Sequence, residues 1–94
     1  MSRAFWTIAA RADLATADSY HRQIDPGFAY RLGHAAIAAS QVLADNPRIG
    51  PVFGGATRKW RIRKTNYLLI YRIVGSRVEI VRMHHGHENW RTGP

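Results

Sequence analysis

Cysteine is absent from the 94-residue sequence, which excludes a disulfide framework, thiolate chemistry and any zinc site built on cysteine ligands. Long apolar runs are missing too. No stretch approaches the roughly 18 to 20 apolar residues that a membrane span requires, and the N-terminus lacks the apolar segment of a secretory leader. The chain therefore reads as soluble and cytoplasmic, with no membrane partner. Acidic residues are scarce, six Asp plus Glu against fourteen Lys plus Arg, for a formal net charge of +8. On so small a surface that imbalance creates a positive field, and it selects polyanions or an acidic protein as partner. Internal repeats and low-complexity tracts are also missing, which removes solenoid and collagen-like architectures.

What is present is an ordinary globular composition, 46% hydrophobic with 11% aromatic residues, enough to drive folding of one domain over 1–94. Ala4 to Ile8 (AFWTI) is a short run of strand formers that could pair at an edge of a later sheet. From Ala9 the composition turns to Ala, Leu, Arg and Asp, and Leu14, Ala17, His21 and Ile24 share one helical face. Asp25-Pro26 ends that helix and starts another, because Asp caps and Pro fits a first helical turn. Phe28, Leu32, Ala35, Ala39, Val42 and Leu43 form the second helix's apolar stripe, and the alanines allow a tight helical hairpin. Asn46-Pro47 closes it, and Val52 to Thr57 reads as a loop. Gly86 to Pro94 reads as a partly ordered tail.

Between Arg58 and His85 the pattern changes to period two. Three strands, separated by Lys64-Thr65-Asn66 and Gly75-Ser76, predict an antiparallel meander. In the first, Trp60 and Ile62 face one way and Lys59, Arg61 and Arg63 the other. The middle strand is apolar on both faces: Leu69, Tyr71 and Ile73 alternate with Leu68, Ile70 and Val74, Arg72 excepted. The third places Val78 and Ile80 on one side and Val81 and Met83 on the other. A helical hairpin covers only one face of such a sheet, so the second face calls for the tail around Trp90 or another protein. The fold expected is α+β, in the order β-α-α-β-β-β, an antiparallel sheet with the hairpin on one face.

Several segments in this order carry a family resemblance: Ala12-Asp13-Leu14 in the first helix, Asn46-Pro47-Arg48-Ile49-Gly50 after the second, Tyr67-Leu68-Leu69-Ile70-Tyr71-Arg72-Ile73 in the centre, and Val78 to Gly86 leading to Trp90. Together they resemble the RelE/ParE superfamily of bacterial toxins. The resemblance implies a toxin neutralised by an acidic, partly disordered antitoxin that folds on binding. It also implies one of two activities, ribosome-dependent cleavage of messenger RNA or poisoning of DNA gyrase. Leu68 stands where RelE-like nucleases carry an arginine, and His85-Gly86-His87-Glu88-Asn89-Trp90 puts Glu88 where ParE-like relatives carry another. The missing cation favours the ParE-like branch, a binder of gyrase with no catalytic residue and no cofactor. The alternative is a ribosome-dependent endoribonuclease, with the messenger at the ribosome as target. Cleavage through the 2′-hydroxyl needs an acid, a base and a cation, and for it the candidates are His85, Tyr71, Arg61 and Arg63. A basic nucleic-acid-binding module is a third possibility.

For binding, the candidates are Lys59, Arg61, Arg63, Leu68, Ile70, Arg72, Arg82, His85, His87 and Trp90, as a dock for the antitoxin and for gyrase or its DNA. The plainer alternative for the cations is a solvated sheet face. Strand alternation sends His84 away from His85 and His87, so no metal site is expected. Trp60 and Tyr71 read as packing residues between sheet and helices, and Trp90 as a partner contact.

Overall fold

Seven elements follow one another in a computed structural model that describes residues 3–86: β1 (Arg3–Trp6), α1 (Ile8–Ile24), α2 (Pro26–Asp45), β2 (Val52–Gly54), β3 (Thr57–Arg61), β4 (Tyr67–Val74) and β5 (Arg77–His85). The expectations for His87, Trp90 and the tail beyond Gly86 lie outside the described residues. β1 is shorter than the apolar run around it because Thr7 turns the chain. Its hydroxyl oxygen accepts the Ala10 N–H at 3.0 Å and donates to the Val81 carbonyl at 2.9 Å. One side chain thus caps α1 and holds it against β5. At the other end Asp25 accepts the Phe28 N–H at 3.1 Å, with Pro26 in the first turn of α2. The expected helical hairpin is present, and Ala10, Ala17, Ala36 and Ala39 lie buried in its packing. Ile24, expected on the apolar face, is instead 67% exposed, since it is the last residue before the cap.

The strands form one sheet in the order β1-β5-β4-β3-β2. The fold is α+β as expected, yet the sheet is mixed. β3, β4 and β5 are antiparallel neighbours, while β1 pairs parallel to β5, with Arg3 opposite Arg77 and Trp6 opposite Ile80. Between these two parallel neighbours the chain runs through both helices and then β2, β3 and β4, so the pair joins the first described strand to the last. Val52 to Thr57, expected as a loop, contains β2, which pairs with the start of β3. Three residues ending in glycine carry too little periodicity to announce a strand.

The largest departure from simple alternation lies in β5. Ile70 faces Arg82 and Tyr71 faces Ile80, so Val81 is an extra residue, a β-bulge. The bulge resets the pleat: Val78, Ile80 and Met83 are all buried on the helical side, where strict alternation would have put Met83 opposite Val78. They join Leu69, Tyr71, Ile62, Leu32 and Leu43 in the core.

Tyr71 holds the chain between α2 and β2. Fully buried, its hydroxyl donates to the Pro47 carbonyl at 2.7 Å and accepts the Gly50 N–H at 3.0 Å. Gly50 has no room for a side chain there, because a Cβ would sit 2.4 Å from the Lys59 carbonyl oxygen and 2.8 Å from the Tyr71 hydroxyl. Arg58 closes the same turn by donating to the Gly50 carbonyl at 2.7 Å. Tyr71→Phe leaves a buried donor and acceptor unpaired and is expected to cost about 1–3 kcal/mol in urea unfolding. Gly50→Ala, which forces backbone apart, is expected to cost at least as much, about 1–3 kcal/mol or more.

Candidate functional site

The bulge and the register divide the sheet into two unlike faces. Towards the helices point Leu69, Tyr71, Trp60, Val78 and Ile80, with Ala4 and Trp6 of β1 packed against the same core. On the opposite face the register aligns Arg61 with Leu68, Lys59 with Ile70, and Thr57 with Arg72 and Glu79. Five of the predicted binding residues, Lys59, Arg61, Leu68, Ile70 and Arg72, are therefore brought onto one surface. That surface is less apolar than the sequence pattern implied. Leu68 is half-buried and Ile70 only 5% exposed, while Arg72 is exposed and ion-paired with Glu79.

Arg63 lies past the end of β3 and borders a different feature. β2 pairs only with Thr57 and Arg58, so among the described residues the outer edge of β3 at Trp60 and Arg61 carries no strand partner. Beside that edge runs a groove of about 600 Å³, with Ala35, Ala38, Ala39 and Val42 of α2 on one wall and Trp60, Arg61, Arg63 and Lys64 on the other. Val42, expected in the buried stripe, is 39% exposed here. A second groove, of about 550 Å³, lies along β1 on the far side of α2, lined by Phe5, Trp6, Leu14, Gly33 and Ile37. The Trp6 indole N–H is buried without a hydrogen-bond partner. A shallow channel over Gly33, His34, Ile37 and Ala38 links the two. α2 thus carries a continuous, largely apolar track from one sheet edge to the other.

The third grouping sits where α1 meets the end of β5. His21 Nε2 and the Tyr67 hydroxyl share a hydrogen bond of 2.8 Å, and the Tyr67 ring meets the His85 ring edge-on at 5.0 Å. Beside them Asp13 accepts from Arg82 Nε at 2.7 Å, from Arg82 Nη2 at 3.0 Å and from the Met83 N–H at 2.9 Å. Sequence reasoning missed both partnerships, because they join residues 46 and about 70 positions apart. Burial alone would raise the Asp13 carboxyl, but the Arg82 guanidinium and the Met83 N–H outweigh it and hold it below its ordinary 3.8.

The residues considered for RNA cleavage are not assembled. Tyr71 is buried with its hydroxyl committed to Pro47 and Gly50. His85 sits with Tyr67 on the helical side, while Arg61 aligns with Leu68 on the opposite face. Among the described residues no group of three or more His, Asp or Glu could hold a metal ion, and no helix is long and apolar enough to cross a membrane.

A protein-family model described as "ParE toxin of type II toxin-antitoxin system, parDE" matches residues 4–90. Among solved structures, a chain of the "Chromosomal ParDE TA system from P. aeruginosa" superposes with a TM-score of 0.77 at 21% identity, over 90% of this chain and 95% of that one. At that identity the likeness is one of fold. No curated protein matches the sequence significantly.

The carboxylate of Asp13 generates a pH prediction. Its lowered value means that its stabilisation is complete above the unfolded carboxylate value and is lost as the pH falls through the folded one. Asp13→Ala is expected to cost about 1–3 kcal/mol at pH 7. The difference from the parent protein should shrink as unfolding is measured progressively below pH 4.

Proposed function

The chain belongs to the ParE toxin family of type II toxin–antitoxin systems, and we propose that it acts by binding DNA gyrase and is held inactive by an acidic cognate antitoxin. The observation that carries the second half is the track over α2. Its floor is apolar, it ends at a β3 edge that is unpaired among the described residues, and Arg61, Arg63 and Lys64 stand at that end. An amphipathic segment with acidic residues fits all three features: its apolar side covers Val42 and Trp60, its carboxylates meet the cations, and its main chain can extend the sheet. A partly disordered partner suits a track that wraps a helix rather than a single cleft.

Support for gyrase over the ribosome comes from the residues named for cleavage. Leu68 supplies no cation beside Arg61, and Tyr71 is occupied in the core. Binding without chemistry asks for neither. Lys59, Arg72, Arg82 and His85 lie outside the track and remain proposed contacts for the target.

Two assays test the two halves. Added to purified gyrase, the protein is expected to inhibit supercoiling and to leave cell-free translation intact; cleaved messenger with normal supercoiling would overturn the gyrase reading in favour of a nuclease. For the antitoxin, the product of a short acidic reading frame adjoining this coding sequence is the natural probe. Val42→Asp and Arg63→Glu should each weaken its binding by about 30-fold, the size of a central interface contact, with the melting temperature unchanged. Affinity that ignores both substitutions would place the antitoxin elsewhere.

A further inference from the structure

Charge is segregated by layer in this protein. The helical layer, 8–45, holds three basic residues and four acidic ones, so it is close to neutral. Residues 46–86 hold nine basic residues and a single acidic one, Glu79. The field of the molecule therefore originates in the sheet and the loops around it, and the helices do not cancel it locally.

Register then gives that charge a direction. On the face away from the helices, Arg77 of β5, Arg72 of β4, and Lys59 and Arg61 of β3 fall on a line: the first two steps go one strand over and two residues along, and the last goes two residues along β3. With strands about 5 Å apart and same-face neighbours about 7 Å apart, the steps of this track are about 7–8 Å. The one carboxylate on the face among the described residues, Glu79, is held by Arg72. Two aromatic rings flank the diagonal at opposite edges of the sheet, each beside one of its cations. The Arg77 guanidinium lies 5.0 Å from the Phe5 ring centroid, and Lys59 Nζ lies 5.7 Å from that of Phe53. Phe5 is 42% exposed.

An acidic peptide is the poorer fit here. The central aliphatic side chain, Ile70, is already 95% covered, so the face offers a docking helix little apolar surface. Cations spaced along a line with aromatic rings beside them are what a flexible polyanion with stackable rings requires. We propose that the face of the sheet away from the helices binds a single strand of nucleic acid, with phosphates along Arg77, Arg72, Lys59 and Arg61 and bases stacked at Phe5 and Phe53. Nothing on the track reads a base edge, so binding is sequence-tolerant. The surface meets the track over α2 only at its two ends, Phe5 and Arg61, and the inference stands whether or not gyrase is the target.

Fluorescence anisotropy with a labelled twenty-residue oligothymidylate tests it. Four phosphate contacts predict a slope of log affinity against log salt of about −3, so affinity should fall about 50-fold between 50 and 200 mM salt. Lys59→Ala should lessen that slope by about 0.7, whereas Phe5→Ala should weaken binding about tenfold with the slope unchanged. Phe5→Trp keeps a stacking ring and should bind like the parent, which separates lost stacking from lost folding. Arg31→Glu alters net charge on the helical layer and should matter much less than Arg77→Glu. No binding at 50 mM salt, equal or tighter binding of a duplex of the same length, or equal losses from Arg31→Glu and Arg77→Glu would each overturn the proposal.

Discussion

Everything that distinguishes the two sides of this molecule depends on how α2 is fastened to the sheet after it ends. The Tyr71 hydroxyl does this from the buried centre of β4, bonded to Pro47 and Gly50 in the segment that leaves the helix. A side chain at Gly50 would push that segment off Lys59 and Tyr71. With it seated, α2 runs at a fixed distance from β3, and the groove between Val42 and Trp60 has defined walls. Because the segment then joins the sheet as the three-residue β2, it covers only the start of β3. A tyrosine in the core therefore anchors the segment that lies between a surface groove and, among the described residues, an unpaired edge. The need to satisfy a buried hydroxyl is what couples them.

The helices and the strand meander were legible in the sequence, since they rest on local signals: helical periodicity, Asp25-Pro26 as punctuation, and alternation from Arg58 onward. The family was legible from the order of segments. The bulge at Val81 was not, because period-two reasoning has no means of inserting one residue, and every inference about β5 beyond it shifted by one face. Met83 moved into the core for that reason, and His85 came to lie with Tyr67. Ile70 also misled. An isoleucine on the outer face of a sheet looks exposed in a pattern, but only 5% of it is. The roles of Asp13 and His21 depended on partners far along the chain, which a reading of neighbours cannot supply.

Placing the charge on one layer has a physical cost that the fold meets in a simple way. Nine cations in 46–86 repel one another, and only Arg72 and Arg82 have carboxylate partners among the described residues. The rest lie on strands and turns at the surface, where water and salt screen them. The helical layer, near neutral and rich in alanine, is free to present apolar surface instead. The two layers of this small body therefore differ in both the charge and the polarity of the surface they present.

The parallel pairing of β1 with β5 bears on when the protein exists at all. β5 lies between β1 and β4, so the strand near the end of the chain is interior to the sheet, and its partner Arg3–Trp6 is made first. Closing that pair spans most of the polypeptide, a contact of high order that slows folding. While the chain is being synthesised from its N-terminus, Val78, Ile80 and Met83 are missing from the core and α1 has no strand to lie on. A nascent copy is thus an incomplete fold until β5 has been made, and the toxin-like body forms only as that strand enters the middle of the sheet.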